Sequence, residues 1–373
     1  MLNRSKLLKE LELIASTLFI DRSHEYEIIR NVWCEIVADS TFLYKVREAT
    51  APWPVPFWQG DLGLAVPVNQ KVEPYHALSV DGSQIYPDRH QSVPCFLINI
   101  GMVGIRYDGV QPPVHFDSNP YIFSNAEPEM KLELSAEIVN CKRQEIELRD
   151  GFQFALRMRH DGLPTILLFD GSLIFWHLEA KDPMLRDLFL PRYVATLCQL
   201  AKEKIITVGY ISSPKSRELV NLVRLQLCKF DTTDEELFPL VEGMVDATIA
   251  GFYLKPFERT IVFQNNSSVS DSYPDHVRPH FFYLHVGEEI GRVEIPAWIA
   301  QDQKLVDFVA CAILDQSIKG RGYPVVLAEA HEQAVVKGPD RDFFYHLLQK
   351  IGIDRNYRTT SSHKAMRKRS MGI

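Results

Sequence analysis

The order of the predicted elements along this chain indicates an α/β protein with a mixed sheet flanked by helices. Strand patterns come first in the middle of the chain, and helix and strand patterns then alternate, which is the order that such a sheet requires. The composition agrees, because 46% hydrophobic and 24% charged residues among 373 are typical of a globular protein. We expect one or two domains and exclude collagen-like, low-complexity and wholly disordered classes.

The first 60 residues are predicted to form a helical extension. Apolar residues recur at helical spacing over 5–18 and 24–38, which predicts two helices. Three prolines between residues 49 and 61 then end any helix, so this stretch is predicted to be a linker or a packing arm. We therefore assign residues 1–60 to an N-terminal helical segment with a Pro/Trp-rich linker.

The sheet and its covering helices are predicted within a main domain at residues 61–354. Strands are predicted at 76–83, 93–107 (one or two strands joined at Gly101 or Gly104), 165–176 (interrupted at Asp-Gly-Ser), 205–212, 258–263, 280–286 and 291–296. Helices are predicted at 131–160, 183–203, 215–228, 302–318 and 340–351. The tract at 229–280 is rich in Asn, Ser, Asp and Pro, so we expect irregular insertions there.

The charge distribution argues against a broad basic surface for nucleic acid. The formal net charge is -7, yet the tail at 355–373 carries six Lys or Arg and no acidic residue. Two interpretations of this tail stay open at this point, a solvated terminus and an arm that contacts phosphate.

Neither a membrane segment nor a disulfide framework is predicted. No apolar stretch approaches the length of a membrane span, and Glu10, Glu12 and Asp21 interrupt the N-terminus where a signal peptide would be uncharged. The six cysteines lie far apart without a CxxC pair, which indicates reduced thiols and argues against a zinc ribbon. We therefore predict a cytoplasmic protein with no membrane partner.

The strongest chemical signal is an Asp-Gly-Ser sequence that occurs twice. Asp81 in SVDGSQ and Asp170 in LFDGSL each follow an apolar run, so each carboxylate is expected at the carboxyl end of a buried strand, where open α/β sheets place their sites. Asp-Gly alone is also a favoured turn. Two occurrences suggest neighbouring aspartates, which a divalent cation between them would allow.

The long predicted helix between these strands offers a third acid, either Glu145 or Glu147. At about 100° per residue, Glu145 lies near the middle of the apolar stripe, whereas Glu147 points away from it. An acid on an apolar face needs a partner or a metal, so the wheel favours Glu145. A shifted helix boundary would reverse this choice, and a solvated role for both glutamates stays open.

An Asp on strand one, a Glu on the first long helix and an Asp after the next strand form the pattern of ribonuclease H-like nucleases. The chain further resembles NurA-type DNA repair nucleases between residues 75 and 348. The motifs that carry this resemblance occur in the family's order: SVDGSQ, LFDGSLI, GYISSPKSREL, ERTIVF after DTTDEEL, GRVEIPAW and GYPVVLAEAHEQAVV. The resemblance implies a ribonuclease H-like core, manganese-dependent DNA cleavage during double-strand break repair, a homodimer and a partner ATPase of the hexameric HerA type.

The resemblance also implies a set of site residues. Asp81, Asp170 and a helix glutamate would bind metal, and the family register favours Glu147 over Glu145, in conflict with the helical wheel. His331 in AEAHEQ would be a metal ligand or a proton donor near the scissile phosphate. Carboxylate ligands suit Mn²⁺ or Mg²⁺, and a histidine favours Mn²⁺.

Other residues keep two interpretations each. Tyr210 and Lys215 follow another strand end, where they would contact phosphate, or they serve core packing and a helix start. Arg292 and Glu294 alternate on one strand and form either a structural ion pair or part of the site.

Two other functions compete with the nuclease. A non-catalytic subunit that holds DNA or docks on the ATPase would have acids that do not converge. An actin-like or sugar-kinase-like phosphotransferase is less compatible, because Gly directly follows Asp in both motifs and neither GxxxxGK[ST] nor GxGxxG occurs.

Overall fold

A mixed sheet of eleven strands forms the centre of the described chain. The computed structural model describes residues 2–72, 74–87, 94–109, 113–124, 135–159, 162–175, 183–233 and 236–356. The strands are β1 Phe57–Trp58, β2 Val66–Pro67, β3 Tyr75–Ile85, β4 Cys95–Tyr107, β5 Val114–Ser124, β6 Thr165–Asp170, β7 Ile206–Ile211, β8 Glu258–Arg259, β9 Phe263–Gln264, β10 Pro279–His285 and β11 Ile290–Pro296.

Eleven α-helices accompany these strands within the same ranges. They are α1 Arg4–Leu18, α2 Ser23–Ala38, α3 Phe42–Glu48, α4 Ala136–Met158, α5 Pro183–Lys202, α6 Glu218–Leu227, α7 Asp246–Ala250, α8 Ala297–Ala300, α9 Gln303–Lys319, α10 Val325–Ala334 and α11 Gly338–Asp354. The predicted N-terminal helices are therefore confirmed, while α3 was not predicted. The basic tail beyond residue 356 lies outside the described residues, so both interpretations of it stay predictions.

The first five long strands have the ribonuclease H-like arrangement. In the order β5-β4-β3-β6-β7, the strands β3, β4 and β5 form an antiparallel meander, and β6 and β7 are parallel to β3. Each parallel connection passes through a helix, α4 before β6 and α5 before β7. The predicted fold class, a mixed sheet flanked by helices, is confirmed.

The sheet continues beyond this core through antiparallel strands. β11 pairs with β7, and β10 pairs with β11. The two-residue strands β8 and β9 both pair with the other edge of β10. The prediction of one strand at 258–263 is therefore wrong. The Thr260 hydroxyl accepts a hydrogen bond from the backbone N–H of Tyr283 at 3.0 Å. This side-chain acceptor takes the place of a backbone carbonyl, so the ladder is interrupted between the two short strands.

Two strands of the meander run without a break: β4, for which one or two strands were predicted, and β3, which was predicted to end at Asp81. β4 is one strand through Gly101, where a Cβ would lie only 2.3 Å from the backbone nitrogen of Ala334 in α10. This glycine permits close packing of a helix and does not form a turn. β3 also continues through its Asp-Gly-Ser to Ile85, and β5 was not predicted at all.

Helices cover both faces of the sheet and join the N-terminal segment to it. α4 and α5 pack on one face, whereas α9 and α10 pack on the other. α2 and α3 share a third apolar cluster with α6, and Trp58 on β1 belongs to that cluster. The predicted domain boundaries near 60 and 354 stay predictions. None of the six cysteines forms a disulfide, and no described helix is long and apolar enough to cross a bilayer.

Candidate active site

Asp81 and Asp170 lie beside each other where the parallel ladder between β3 and β6 ends. The last pair of this ladder is Val80 with Phe169, so the next residue on each strand is an aspartate. β6 ends at Asp170, as predicted. The expectation that Asp81 also ends its strand is wrong, because β4 continues to pair with β3 as far as Ile85. Both carboxylates nevertheless reach the same point of the sheet.

Glu147 extends from α4 toward this point. A Cβ on Gly82 would lie 2.4 Å from Glu147 Oε1, so the glycine after Asp81 makes room for the carboxylate. Glu147 Oε1 is buried, lies 3.3 Å from Arg143 Nη1 and accepts no hydrogen bond from a described residue. Burial raises the pKa of Glu147 to about 8; Arg143 opposes this shift, while Asp81 and Asp170 add to it. The three acids therefore interact electrostatically.

Glu145 lies away from the two aspartates, between α4 and α5. Its carboxylate lies 3.0 Å from Lys142 Nζ and 3.8 Å from Arg192 Nη1. The helical wheel was misleading because α4 packs against both the sheet and α5, so its apolar residues do not mark a single buried face. The structure brings Glu147, and not Glu145, to the aspartates.

The charge state of Asp170 reflects its crowded surroundings. Burial of its carboxyl raises the pKa and Asp81 raises it further, whereas a hydrogen bond with Tyr323 and the charges of His331 and Arg143 lower it. The residue as a whole is exposed at the end of β6, so its carboxylate remains accessible to a ligand. Two interacting acids with raised pKa values, here Glu147 and Asp170, are typical of a site that binds a cation.

His331 extends from α10 over Asp81. Its Nδ1 lies 2.8 Å from Asp81 Oδ2, and its side chain is 61% exposed. A proton on Nδ1 would donate to Asp81 and leave Nε2 with its lone pair toward solvent or a ligand. The structure therefore places this late histidine with the two aspartates, as the resemblance implied.

Tyr210 is fully buried and contacts Glu289 and Tyr323 next to the site. Its hydroxyl donates to Glu289 Oε1 at 2.9 Å, and Ser212 Oγ donates to Glu289 Oε2 at 2.8 Å. The Tyr210 ring packs edge-on against Tyr323, with centroids 5.8 Å apart. Tyr323, which hydrogen bonds with Asp170, was missed; it lies two residues before α10 begins, and no local motif marks it.

Arg292 and Glu294 form a buried ion pair that shapes the turn after Asp170. Arg292 Nε donates to Glu294 Oε1 at 2.8 Å. The other oxygen, Oε2, accepts Ser172 Oγ at 2.6 Å and the Leu173 backbone N–H at 2.9 Å. Of the two interpretations, the structural ion pair agrees with these contacts.

Asp81, Glu147, Asp170 and His331 together offer oxygen and nitrogen donors for a metal ion. In the described ranges, no three His, Cys, Asp or Glu side chains already converge around one point as a ligand shell. The chemistry nevertheless fits a divalent cation, because Glu147 Oε1 is buried without a hydrogen bond and the aspartates raise the pKa values of neighbouring acids. A cation would relieve both conditions.

A family model described as the NurA domain matches residues 76–336, which is more than half of the chain and includes Asp81, Glu147, Asp170, Tyr210 and His331. The chain belongs to the NurA domain family. The resemblance drawn from the motifs is thus confirmed. No curated protein sequence matches this NurA-domain chain significantly.

Solved structures give a more distant likeness. A crystal structure of NurA with manganese is 10% identical, with 87% of this chain and 96% of that chain covered and a TM-score of 0.44. A structure of NurA bound to dAMP and manganese is 11% identical, with coverage of 88% and 94% and a TM-score of 0.36. Endonuclease V of Ciona intestinalis, in complex with DNA, is 9% identical, with coverage of 70% and 84% and a TM-score of 0.35.

Proposed function

We propose that this chain is a metal-dependent deoxyribonuclease that hydrolyses phosphodiester bonds. The observation that carries the proposal is the position of Asp81 and Asp170 on adjacent parallel strands, with Glu147 directed toward them from α4. Three acids in this position match the acid pattern of ribonuclease H-like nucleases. Family membership and the manganese in related NurA structures support the same assignment.

Asp81, Glu147 and Asp170 would hold the metal, with His331 as a further ligand or a proton donor. Mn²⁺ is the preferred ion because the set contains a histidine, and Mg²⁺ is the alternative. When bound, such a cation lowers the pKa of a water molecule and stabilises the leaving oxygen. The protein's own contribution is to hold these carboxylate oxygens and the imidazole in position.

The residues around the acids orient them. Arg143 Nη1 donates to the Gly82 carbonyl at 2.7 Å, which fixes the backbone next to Asp81. Tyr323 hydrogen bonds to Asp170 and favours its ionised form. Asp81 holds the imidazole of His331, so that Nε2 would exchange a proton with the phosphodiester oxygen or the attacking water.

The finer biological role follows from the family. We infer a 5′–3′ exonuclease and single-strand endonuclease that processes DNA ends in double-strand break repair. We also infer a cytoplasmic homodimer that works beside a HerA-type hexameric ATPase. An acidic chain of net charge -7 agrees with a substrate held in a narrow channel or delivered by a translocase.

A cleavage assay with purified full-length protein tests this function. End-labelled single- and double-stranded DNA would be incubated with Mn²⁺, Mg²⁺ or EDTA. We expect cleavage with Mn²⁺ and none with EDTA, and Asp81→Asn is expected to be inactive under all conditions. Binding of DNA without cleavage in any metal would instead indicate the non-catalytic, DNA-holding subunit.

A further inference from the structure

A cavity lies beside the acids, at the carboxyl ends of β6 and β7. Its volume is about 420 Å³. Ser172, two residues after Asp170, and Ile211, the residue after Tyr210, form its inner wall. The cavity is thus separated from the carboxylates by only the turn that follows β6. A strand of DNA across the acids would pass this opening.

Three buried N–H groups in the cavity wall have no hydrogen-bond acceptor among the described residues. They are Trp53 Nε1, Arg217 Nε and Arg292 Nη2. Arg292 is only 1% exposed. Buried donors without acceptors are costly and rare in folded proteins. All three groups are donors, which indicates an occupant that supplies acceptors.

The charges in the wall favour an anion. Glu218 Oε1 lies 2.9 Å from Arg292 Nη1, and Glu294 Oε1 accepts Arg292 Nε at 2.8 Å, so two of the guanidinium nitrogens are occupied by acids. The third nitrogen, Nη2, has no acceptor among the described residues. Four cationic side chains line the cavity against these two acids: Lys215, Arg217, Arg224 and Arg292. A net positive wall remains.

The N-terminus of a helix adds to this potential. α6 begins at Glu218, and the residues before it, Lys215 to Arg217, form the outer wall of the cavity. Arg217 occupies the cap position without a side-chain cap hydrogen bond. Asp246 accepts one first-turn N–H, that of Val220, at 2.9 Å. Helix N-termini attract phosphate through their backbone donors and the helix dipole.

We propose that this cavity is a phosphate-binding subsite that holds a backbone phosphate of the DNA strand near the scissile linkage. The inference rests on the proposed nuclease function and extends it to substrate positioning. Lys215, which is exposed, supplies the charge that meets the incoming strand, and the indole N–H of Trp53 and Nη2 of Arg292 supply hydrogen bonds deeper in the cavity.

Binding of modified DNA tests the subsite without requiring cleavage. A single-stranded oligonucleotide with one neutral methylphosphonate linkage, moved one position at a time, would be titrated against full-length protein in EDTA. Lys215→Ala removes the charge, and Trp53→Phe removes the indole N–H and one of the two fused rings but retains a ring to pack against Phe238. Lys202→Ala is the matched control, because Lys202 is also exposed but lies at the end of α5, before β7 begins.

We expect one linkage position at which neutralisation weakens wild-type binding about tenfold, the loss expected for a hydrogen bond to a charged group. In Lys215→Ala the same neutralisation should weaken binding less than in wild type, because only the contacts of Trp53 and Arg292 remain. The salt slope should fall by about 0.7, the value of one phosphate contact on single-stranded DNA. Trp53→Phe should reduce the effect of neutralisation at the same linkage, whereas Lys202→Ala should behave as wild type.

Three results would separate the inference from its alternatives. Equal sensitivity of Lys215→Ala and wild type at every linkage would overturn it, even if the wild type cleaves DNA normally. Stabilisation of wild type but not Lys215→Ala by inorganic phosphate, without any sensitive linkage, would assign the cavity to a free anion and also overturn it. A sensitive linkage in a protein that never cleaves DNA would uphold the subsite and refute the nuclease.

Discussion

Asp81 Oδ2 and His331 Nδ1 are 2.8 Å apart, although the two residues are 250 positions apart in the sequence. α10 brings the histidine to the meander by packing on β3 and β4, where Gly101 lets the helix backbone approach. The contact joins the first predicted acid to the last predicted site residue. It places an exposed imidazole directly on a carboxylate that we assign to the metal.

The first prediction concerns this histidine. His331→Asn retains a side-chain amide near the Nδ1 position but removes Nε2, so we expect cleavage to fall by about 10²- to 10³-fold, the usual contribution of a proton-transfer group. The free energy of unfolding should change by less than about 0.5 kcal/mol because the side chain is largely exposed. Cleavage rates and urea unfolding measure the two effects. Wild-type cleavage would exclude His331 from the chemistry.

A second prediction separates the two helix glutamates. Glu147→Gln should abolish detectable cleavage, because Glu147 is the glutamate beside the aspartates. Glu145→Gln should retain most activity, since it changes only contacts with Lys142 and Arg192. The pair differs by two positions on one helix, so each variant is the control for the other. The opposite ranking of the cleavage rates would assign the metal to Glu145 and contradict the role of Glu147.

Stability of the metal-free protein should depend on pH through Glu147. Its pKa is about 8 in the folded state against 4.5 for an ordinary glutamate, so the folded state keeps a proton that the unfolded chain releases. Stability should therefore fall between pH 4.5 and about 8, by at most about 1.4 kcal/mol per pH unit. In Glu147→Gln this slope should be smaller. Urea unfolding in EDTA at several pH values measures it, and parallel curves would contradict the assigned environment.

The buried ion pair on β11 should be important for folding. Glu294→Ala leaves Arg292 without one of its partners and removes the acceptor of Ser172 and Leu173. We expect a loss of about 3–5 kcal/mol, as for other broken buried pairs. Arg159→Gln breaks an exposed pair with Glu203 and should cost less than about 1 kcal/mol. Similar unfolding midpoints for both variants would contradict the buried role.

The two Asp-Gly-Ser motifs show what the sequence predicts and where prediction ends. In the second motif Gly171 has a φ of +125°, which favours glycine, and the strand ends there as predicted. In the first, Gly82 lies inside a strand and makes room for Glu147. The Asp-Gly-Ser sequence is the same in both motifs, but the first is paired with β4 and covered by α4.

The same limit explains the site residues that were missed or misjudged. Periodicity located α4 but did not distinguish Glu145 from Glu147, because the helix has neighbours on two sides. Tyr323 hydrogen bonds to Asp170 from a connection between two helices, and no local pattern indicates such a contact. The repeated Asp-Gly-Ser motif indicated Asp81 and Asp170, and the family resemblance supplied His331, since a resemblance carries information about distant contacts that periodicity lacks.

The most direct test of the account is Mn²⁺ binding to the protein without DNA. Titration of metal-free wild type, followed by electron paramagnetic resonance of unbound Mn²⁺, should show saturable binding that strengthens as the pH rises toward 8 and protons leave Glu147. Asp170→Asn should abolish that binding, and Glu145→Gln should preserve it. Equal Mn²⁺ binding by wild type and Asp170→Asn would contradict the claim that these carboxylates form the metal centre.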